Sequence, residues 1–424
     1  MFNLYNLLLK LLTPVMFFYV AWRLLTGKDS LKSLRQKLGR YDFPPPKKGG
    51  IWIHGVSVGE TNAAALLVDE LLKQNKDLPV TFSTSTKGGM ETSMKKLTGK
   101  ATITYFPFDF HRAVKSALSF FSPRLIVLME TEIWPNLIYH AGKSGIGTAV
   151  VNGRLSDNSY RKYSMVRPII APFFGSIDLL LMQSKKDAER IVSLGADKNK
   201  TFVAGNIKFD GKLPDENAEK SKIRHRFSIP ENAAVVVLAS SHAGEDELFL
   251  ESMNKLSESR DRLYPVIAPR HVQRADAITE LCADRGFKPP RLRSENSGGP
   301  GSILILDTLG ELAELYGAAD VAVIGGSFIP RGGQNPLEAS AWKLPVLFGP
   351  HMNNFREISQ KLVEAGGAIA VTDGDSLTDG LSRLLDSEEM RRKTGAAGYD
   401  TILQNRGALH KTVVAIEKLF KNMR

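Results

Sequence analysis

The stretch Ile51 to Glu60, IWIHGVSVGE, decides the fold of this chain. Its apolar start predicts a buried strand, and the turn that follows leads into a helical pattern of apolar residues at 63, 66, 67 and 71. In a strand–turn–helix unit, ligands bind at the carboxyl end of the strand, beside the helix N-terminus. The sequence therefore predicts a site that contains His54, Ser57, Gly59 and Glu60.

Glu60 falls in the first turn of the predicted helix, where the helix dipole stabilises a carboxylate as an anion. An ionised carboxylate in this place is suited to taking a proton from an attacking hydroxyl. Taken alone, the pattern favours an ordinary helix cap followed by a first-turn glutamate. The rest of the chain decides between these two interpretations.

Alternating strand and helix patterns continue on both sides of a polar segment at 210–222. Apolar runs typical of strands recur at 79–84, 101–106, 124–130, 147–152 and 177–183 before that segment, and at 234–239, 263–268, 302–306, 320–325, 344–348 and 367–371 after it. Such alternation predicts parallel sheets covered by helices on both faces. We therefore expect an α/β protein of two Rossmann-like, doubly wound domains facing a central cleft.

The predicted domain boundaries follow from these patterns and from composition. They give an apolar N-terminal membrane anchor (1–27), a basic linker (28–50), a first Rossmann-like domain (51–209), an inter-domain linker (210–222), a second Rossmann-like domain (223–387) and C-terminal helices (388–424). A short surface loop is expected at 293–301, where serine, glycine and proline concentrate.

Composition and charge favour a membrane-associated protein with an anionic partner. The net charge is +11, and the single cysteine, Cys282, excludes an intramolecular disulfide and fits a reducing compartment. Residues 1–25 are strongly apolar but are interrupted by Lys10 and Arg23, so the segment either spans a bilayer marginally or lies in its interface. An ordinary buried helix is the alternative. The cations that follow indicate a cytoplasmic location on an anionic membrane surface.

Polar motifs follow the predicted strands of the first half. ETEIWPN (130–136) carries Glu130 and Glu132, which we interpret either as contacts to an acceptor hydroxyl or ammonium group or as structural hydrogen-bond acceptors. NGRLSDNS (152–159) carries Arg154, a plausible anion contact. GNIK (205–208) places Lys208 beside the predicted linker, towards the expected cleft.

Five turns of the second half offer backbone or cationic groups to an anion. They are SSHAGE (240–245), PRH (269–271), DTLGEL (307–312), GGS (325–327) and RGGQNPLE (331–338). Glycines allow the backbone to approach a nucleotide closely. Glu338, which the pattern predicts on the buried side of the following helix, has the chemistry to accept both hydroxyls of a ribose. One such turn is usually only a tight turn, but five along one edge favour a nucleotide site.

Stronger local signatures are missing from the sequence. It has no GxGxxG with a downstream acid, no GxxxxGK[ST] and no HExxH. These absences argue against a dinucleotide oxidoreductase, a P-loop ATPase and a zinc protease. The sequence therefore predicts neither a metal nor a cofactor, and the basic charge lacks the interleaved aromatics of a nucleic-acid groove.

The motifs together resemble one family. IHGVSVGE, ETEIWPN, NGRLSDNS, GNIKFD, APRH, DTLGEL, GGSFIPRGGQNPLE and FGPHMNNF resemble, in order, the motifs of bacterial 3-deoxy-D-manno-oct-2-ulosonic acid (Kdo) transferases, from the N-terminus to about residue 370. The resemblance implies a lipid A-specific, inverting GT-B glycosyltransferase at the cytoplasmic face of the inner membrane. It would transfer Kdo from CMP-Kdo to the tetraacylated lipid A precursor in lipopolysaccharide biosynthesis, without a metal.

The resemblance also implies residue roles. Glu60 matches the catalytic base, the first domain the acceptor side and the second domain the CMP-Kdo side. The resemblance assigns Arg270, His271, Gly310, Glu311, Asn335 and Glu338 to donor binding. The positions of the polar motifs after predicted strands, rather than the resemblance, add Lys208, Ser241, His242, Gly326 and Ser327 as donor-binding residues and His54, Ser57, Gly59, Glu130, Glu132 and Arg154 as acceptor-side residues. One departure is Gln334, where the family commonly has histidine; glutamine still hydrogen-bonds but cannot become cationic.

Two other readings stay open at this point. Another GT-B nucleotide-sugar enzyme, such as an epimerase or a different glycosyltransferase, would share the architecture. A non-catalytic, membrane-bound nucleotide-sugar-binding protein would keep the glycine-rich turns but would not need Glu60.

Overall fold

The computed structural model describes residues 2–27, 29–130, 132–215, 217–295 and 303–423. Within these ranges the chain forms two compact units, Met1–Asp210 together with Arg406–Arg424, and Gly211–Asn405. Part of the loop expected at 293–301 and Lys28, the first residue of the predicted basic linker, lie outside the described residues.

The first unit is built on a parallel sheet with seven strands among its described residues. These are β1 Ile51–His54, β2 Val80–Thr84, β3 Thr102–Tyr105, β4 Leu125–Met129, β5 Gly147–Gly153, β6 Leu179–Met182 and β7 Thr201–Val203. Their spatial order is β3-β2-β1-β4-β5-β6-β7, so the order reverses beside β1. This switch point is where an open α/β sheet leaves a crevice for ligands.

The second unit repeats this design. Its described strands are β8 Ala234–Ser241, β9 Leu263–Pro269, β10 Arg291–Leu292, β11 Leu304–Ile305, β12 Val321–Ile324, β13 Val346–Phe348 and β14 Ala368–Ala370, in the order β10-β11-β9-β8-β12-β13-β14. Each pairing in both sheets is parallel. The two parallel sheets confirm the predicted α/β class.

Helices separate the strands as the sequence predicts. In the first unit they are α1 Phe2–Leu25, α2 Leu31–Lys37, α3 Val58–Gln74, α4 Lys87–Leu97, α5 His111–Phe121, α6 Pro135–Lys143, α7 Asp157–Met165, α8 Arg167–Gly175 and α9 Lys185–Ser193. In the second they are α10 Lys220–Arg226, α11 Glu245–Ser257, α12 Ala275–Asp284, α13 Leu312–Leu315, α14 Leu337–Ser340, α15 Arg356–Glu364, α16 Gly374–Asp386 and α17 Glu388–Asn405. The last helix, α18 Ala408–Asn422, returns to the first unit.

Alternate side chains of each strand enter cores on opposite faces of the sheet. Ile51 and Ile53 pack with Leu67 of α3 on one face, whereas Trp52 packs with Phe106 and Phe121 on the other. This two-sided burial explains why the strands appear in the sequence as continuous apolar runs rather than as an alternation. The runs predicted the strands' positions closely.

The C-terminal helix α18 completes the first core. Ala408, Val413 and Ile416 are buried in the cluster that contains the β1 and α3 side chains. The Asp210 carboxylate begins this helix, because it accepts from the backbone N–H groups of Gly407 (2.6 Å) and Leu409 (2.8 Å). The predicted C-terminal segment is therefore divided, with α17 in the second unit and α18 in the first.

The N-terminal region packs on the first unit through α2. The Gln36 side chain accepts from Tyr105 N–H (3.0 Å) at the end of β3, and Asp29 pairs with both Arg23 (2.6 Å) and the buried Lys37 (2.8 Å). Two of the predicted surface cations are thus neutralised within the protein. Among the described residues, no helix is both long enough and apolar enough to cross a membrane.

Candidate active site

Glu60 is held rigidly at the start of α3. One carboxylate oxygen accepts from the backbone N–H of Val56 and the other from the Ser57 hydroxyl, both at 2.8 Å. Ser57 in turn caps the helix, since its Oγ accepts from the Glu60 N–H at 3.3 Å. The side chain is 7% exposed, yet both of its bonds come from the turn at the strand end. Ser57 therefore caps the helix and also helps to hold the Glu60 carboxylate at the end of β1.

Glu130 lies beside Glu60 at the end of β4. Its backbone has φ of +55°, a conformation that non-glycine residues adopt mainly under constraint and often at functional sites. Its carboxylate accepts from Arg154 Nε (2.6 Å) and Lys208 Nζ (3.3 Å). The same ammonium lies 3.9 Å from the position that a Cβ on Gly59 would take, so Gly59 leaves room for it.

Three carboxylates, Glu60, Glu130 and Glu132, form what we call the carboxylate cluster. Burial alone would raise the pKa of Glu130, but Lys208 and Arg154 outweigh it and hold that pKa below its ordinary value. Burial and the charge of Glu130 raise the pKa of Glu60. Burial and the charges of its two neighbours raise the pKa of Glu132 to about 7. Glu130 thus favours its anionic form, whereas Glu60 and Glu132 bind a proton more readily than an exposed glutamate does.

His54, the last residue of β1, is buried in the first unit and is not exposed to a ligand in this structure. It is 0% exposed, stacks on Phe106 at 3.7 Å between ring centroids, and its Nδ1 lies 3.0 Å from the Ser83 carbonyl. Burial lowers the pKa of His54 to about 3, so the ring is neutral. The sequence could not distinguish this buried position from an exposed one, since both follow a strand.

Lys208, predicted on the donor side, lies in the first unit. It belongs to a 3₁₀ turn, Ile207–Asp210, and forms an ion pair with Glu130 of the carboxylate cluster. The neighbouring Asn206 bonds Gln183 at 3.0 Å, which fixes the backbone that carries Lys208.

The second unit gathers cationic and imidazole groups, which we call the basic cluster: His242, Arg270, His271, Arg274 and Arg331. The His242 and His271 ring centroids are 6.0 Å apart. Burial first, and then the charges of His271 and the three arginines, lower the pKa of His242. Arg270, His271 and Arg331 are exposed, so this cluster presents positive charge to an anionic ligand.

The glycine-rich turn after β12 is held by Glu245 of α11. Its carboxylate, 0% exposed, accepts from the N–H groups of Gly326 (2.6 Å), Ser327 (3.0 Å) and Phe328 (3.0 Å). The Ser327 hydroxyl donates to the Ile324 carbonyl at 2.5 Å. The Gly326 and Ser327 amides and the Ser327 hydroxyl, predicted to bind the donor, are bonded to groups of the protein in this structure, and these bonds hold the turn.

Ser241 is also internal. Its hydroxyl donates to Asp246 at 2.5 Å, and Asp246 forms an ion pair with Arg274. Ser241 and Asp246 are both 0% exposed. This pair anchors Arg274, and with it the segment after Arg270 and His271, to the start of α11.

The backbone at Gly310 is accessible to a ligand, whereas the Glu311 side chain is bonded within the protein. Gly310 is exposed with φ of +90°, and no atom lies within 4 Å of where its Cβ would be. The Glu311 carboxylate pairs with Arg293 (3.0 Å) and Arg226 (3.4 Å), and hydrogen bonds from Arg293 are the first cause that lowers its pKa. The backbone at 310 is open, whereas the Glu311 side chain is engaged.

Asn335 and Glu338 form an exposed pair. Asn335 Nδ2 donates to Glu338 Oε1 at 3.1 Å, and its Oδ1 accepts from the Leu337 N–H at 3.2 Å. Glu338 is exposed, not on the buried side of the helix as the pattern indicated. Gln334 lies 3.5 Å from His242 Nε2, which places the residue that replaces the expected histidine beside the basic cluster.

Three functional residues were not singled out from the sequence: Glu245, Arg274 and Arg331. Arg331 stands in a glycine-rich motif, and Arg274 follows Arg270 by four residues, so both carried a signal in their spacing. Glu245 ends the motif at 240–245, but nothing in that motif predicted its contacts after β12, because the N–H groups of Gly326, Ser327 and Phe328 lie more than 80 positions away. Among the described residues, no group of three or more histidine, cysteine or acidic side chains has metal-binding geometry.

The chain is similar to one family of transferases over most of its length. Residues 32–211 match the family model described as 3-deoxy-D-manno-octulosonic-acid transferase (kdotransferase). The chain is 35% identical, over 420 residues, to the 3-deoxy-D-manno-octulosonic acid transferase of Haemophilus influenzae, with 96% of each chain covered. It is 34% identical to that of Bordetella pertussis, with 88% of each chain covered.

Solved structures of similar fold are more distant in sequence. The UDP complex of MnaA from S. aureus has a TM-score of 0.59 at 16% identity, covering 89% of this chain and 98% of that one. A glycosyltransferase from Rickettsia africae has a TM-score of 0.59 at 13% identity, covering 89% of this chain and 100% of that one. These similarities show that the chain shares the two-sheet GT-B fold. They do not determine which reaction it carries out.

Proposed function

Because the chain belongs to the 3-deoxy-D-manno-octulosonic acid (Kdo) transferases, we propose that it moves Kdo from CMP-Kdo onto a hydroxyl of the tetraacylated lipid A precursor. The chain is a glycosyltransferase that transfers Kdo, and this family assignment confirms the predicted resemblance. Donor, acceptor and residue roles form the proposal. The observation that carries it is Glu60, a buried carboxylate fixed at the start of α3 with a raised pKa.

Glu60 is the general base in this proposal. The acceptor hydroxyl oxygen attacks the anomeric carbon of Kdo, its proton passes to Glu60, and the bond between that carbon and the CMP phosphate oxygen breaks. A single displacement of this kind inverts the anomeric configuration. The raised pKa of Glu60 makes the carboxylate a better proton acceptor than an exposed glutamate.

The basic cluster stabilises the charge that develops on the leaving CMP. Arg270, His271 and Arg331 are its exposed members, and an arginine binds phosphate or carboxylate oxygens through two parallel hydrogen bonds. Glu338 and Asn335 bind the ribose hydroxyls, and the open backbone at Gly310 contributes an N–H to the phosphate. Glu245 and Asp246 act indirectly, by holding the surrounding turns in place.

The acceptor is bound by the first unit. Glu132 and Arg154 contact its polar groups, while Glu130 holds Arg154 and Lys208 in position. Arg154 is 40% exposed at its side chain, which leaves it accessible to a phosphate of the acceptor.

Association with the inner membrane, at its cytoplasmic face, completes the proposal. Several apolar side chains of α1 are exposed at a spacing of about one helical turn or a multiple of it: Leu7 (54%), Leu11 (68%), Phe18 (73%), Trp22 (48%) and Leu25 (87%). A helix that displays such a row beside basic residues is suited to lie in the interface of an anionic membrane. Lys32, Arg35 and Arg40 are exposed next to it.

A mass-spectrometric transfer assay tests the proposal. Purified protein receives CMP-Kdo, generated in situ, and tetraacylated lipid A precursor, with Glu60→Ala and Glu70→Ala run in parallel. We expect mass gains in steps of one Kdo, a loss of at least about a hundredfold in Glu60→Ala, and near-normal rates in Glu70→Ala, whose glutamate lies on the same helix and pairs with Lys73.

The same assay separates the alternatives. A folded, CMP-binding protein that transfers nothing would contradict the acceptor assignment, and undiminished turnover in Glu60→Ala would contradict the assignment of the base. The number of steps gives the number of Kdo units transferred.

A further inference from the structure

A polar junction joins the N-terminal helix to the start of α6. Tyr5 Oη donates to the Asp109 carboxylate at 2.8 Å, and the side-chain amides of Asn6 and Asn136 exchange two hydrogen bonds of 3.0 Å each. These partners are separated by more than a hundred residues in the sequence. Neighbouring residues of one turn of α1 therefore reach one point on the first unit.

Asp109 is the helix cap of α6, supplied from outside that helix. Its carboxylate oxygens accept from the backbone N–H groups of Asn136 (2.9 Å) and Leu137 (2.9 Å). The residue at the N-cap position, Trp134, makes no capping bond with its own side chain. Asp109 is only 6% exposed, so the position of α6 depends on this buried carboxylate.

The segment between β4 and α6 is short and carries Glu132. It runs from Glu130, fixed by Arg154, to Pro135, the first residue of α6, and its described residues 132–134 have no regular secondary structure. Trp134 packs its ring on Phe106 at 5.0 Å between centroids. Glu132 lies only three residues before Pro135, so we expect a shift of the start of α6 to move Glu132 as well.

We infer that the N-terminal helix positions the Glu132 segment, with Tyr5 and Asn6 as positioning residues that act through Asp109 and Asn136. The exposed apolar row of α1 begins at Leu7, directly after these two residues. The position of α1 and the geometry of the carboxylate cluster are therefore linked. The expected effect on transfer rests on the proposed function, whereas the link from Tyr5 and Asn6 to the start of α6 does not.

The test combines hydrogen exchange with kinetics on the full-length protein. Tyr5→Phe removes only the hydroxyl that bonds Asp109, and Asn6→Ala removes the other contact. The matched control is Tyr160→Phe, which removes a tyrosine hydroxyl that faces Ser193 at 3.1 Å elsewhere in the same unit. Exchange is followed at the amides of residues 136 and 137, which donate to Asp109.

We expect both variants to raise exchange at these two amides roughly threefold to tenfold, the size expected when one hydrogen bond is lost. With CMP-Kdo and lipid A precursor in detergent, kcat/KM for the acceptor should fall by a similar factor while KM for CMP-Kdo stays unchanged. Tyr160→Phe should alter neither measurement.

Two results would overturn the inference. Unchanged exchange at residues 136 and 137 in both variants would remove the mechanical link. Faster exchange with unchanged acceptor kinetics would leave a structural contact without a positioning role. If the wild-type protein transfers no Kdo, the proposed function fails, and the exchange data still decide whether the link exists.

Discussion

Two neighbouring glutamates of the first unit have different pKa values because their surroundings differ. Glu130 pairs with two cations and stays ionised, whereas Glu60 accepts only neutral hydrogen bonds and has a raised pKa. Neighbouring carboxyls whose environments separate their pKa values are typical of sites that move protons. Lys208 and Arg154 keep Glu130 ionised, and the charge of Glu130 contributes to the raised pKa of Glu60. These two cations therefore influence the pKa of Glu60 indirectly.

The pH dependence of transfer should report this arrangement. A general base works only when deprotonated, so activity falls as the pH drops through the pKa of Glu60, which lies above its ordinary value of 4.5. Glu130→Gln removes the negative charge that raises this pKa and leaves Lys208 and Arg154 in place. We expect the acid limb of kcat/KM to move to lower pH.

This profile is best measured in a Glu132→Gln background, which removes the carboxyl with a pKa of about 7. Glu70→Gln, on the exposed side of α3, should leave the limb in place. A limb that stays put or moves to higher pH in Glu130→Gln would contradict the coupling of Glu60 to Glu130.

Glu338 should affect the donor and not the acceptor. Glu338→Ala removes an exposed carboxylate assigned to the ribose hydroxyls, so we expect KM for CMP-Kdo to rise about tenfold with little change in kcat. Glu389→Ala, an exposed glutamate at the start of α17, is the control. Initial rates at varied CMP-Kdo concentration measure the effect, and an unchanged donor KM would argue against a ribose contact.

At the scale of elements, α11 organises the second unit by its first turn. Glu245 binds three consecutive N–H groups after β12, Asp246 holds Ser241 and Arg274, and Glu247 accepts from the Gly244 N–H at 2.8 Å. Three consecutive acidic residues at a helix N-terminus would be explained by the dipole alone. In the structure two of them are fully buried and hold turns next to the basic cluster.

Glu245→Gln should therefore destabilise the second unit strongly. Glutamine offers one acceptor oxygen and places an NH₂ group against backbone N–H donors, so we expect a loss of about 2–4 kcal/mol in the free energy of unfolding and weaker CMP binding. Glu247→Gln should cost less than about 1 kcal/mol, since its contact is a partly exposed cap. Denaturant titration compares the two, and equal losses would show that Glu245 acts only as a capping residue.

At the scale of the whole molecule, the chain leaves the first unit after Asp210 and returns to it at Arg406. The returning helix α18 contributes Ile416, which is 0% exposed, to the core beneath β1. The C-terminus is thus part of the unit that carries Glu60, although it follows the second unit in sequence.

This topology predicts which unit a C-terminal mutation damages. Ile416→Ala should lower the stability of the first unit by about 2–5 kcal/mol, because it leaves a cavity in a closed core. Val414→Ala, at a position that is 49% exposed, should change it by less than about 0.5 kcal/mol. Calorimetry with and without CMP identifies the second unit by its ligand stabilisation, and a shift confined to that transition would contradict the assignment of α18.

The sequence by itself determined the α/β class, the positions of the long buried strands and the family. These features are local, because a strand buried on both faces needs a continuous apolar run and the motif residues follow strand ends in a fixed order. The short edge strands β7 and β10 were not predicted. Their three and two residues are too few for a pattern, and two of them, Phe202 and Val203, are half exposed.

Only the tertiary structure decided which polar groups are available to a ligand. Gly326, Ser327 and Ser241 belong to turns that look like anion sites in the sequence, but buried carboxylates of α11 occupy them. Lys208 likewise pairs with Glu130, 78 positions away. A polar group buried in a fold binds the partner that packing brings to it, and that partner is set by the arrangement of distant elements rather than by neighbouring residues.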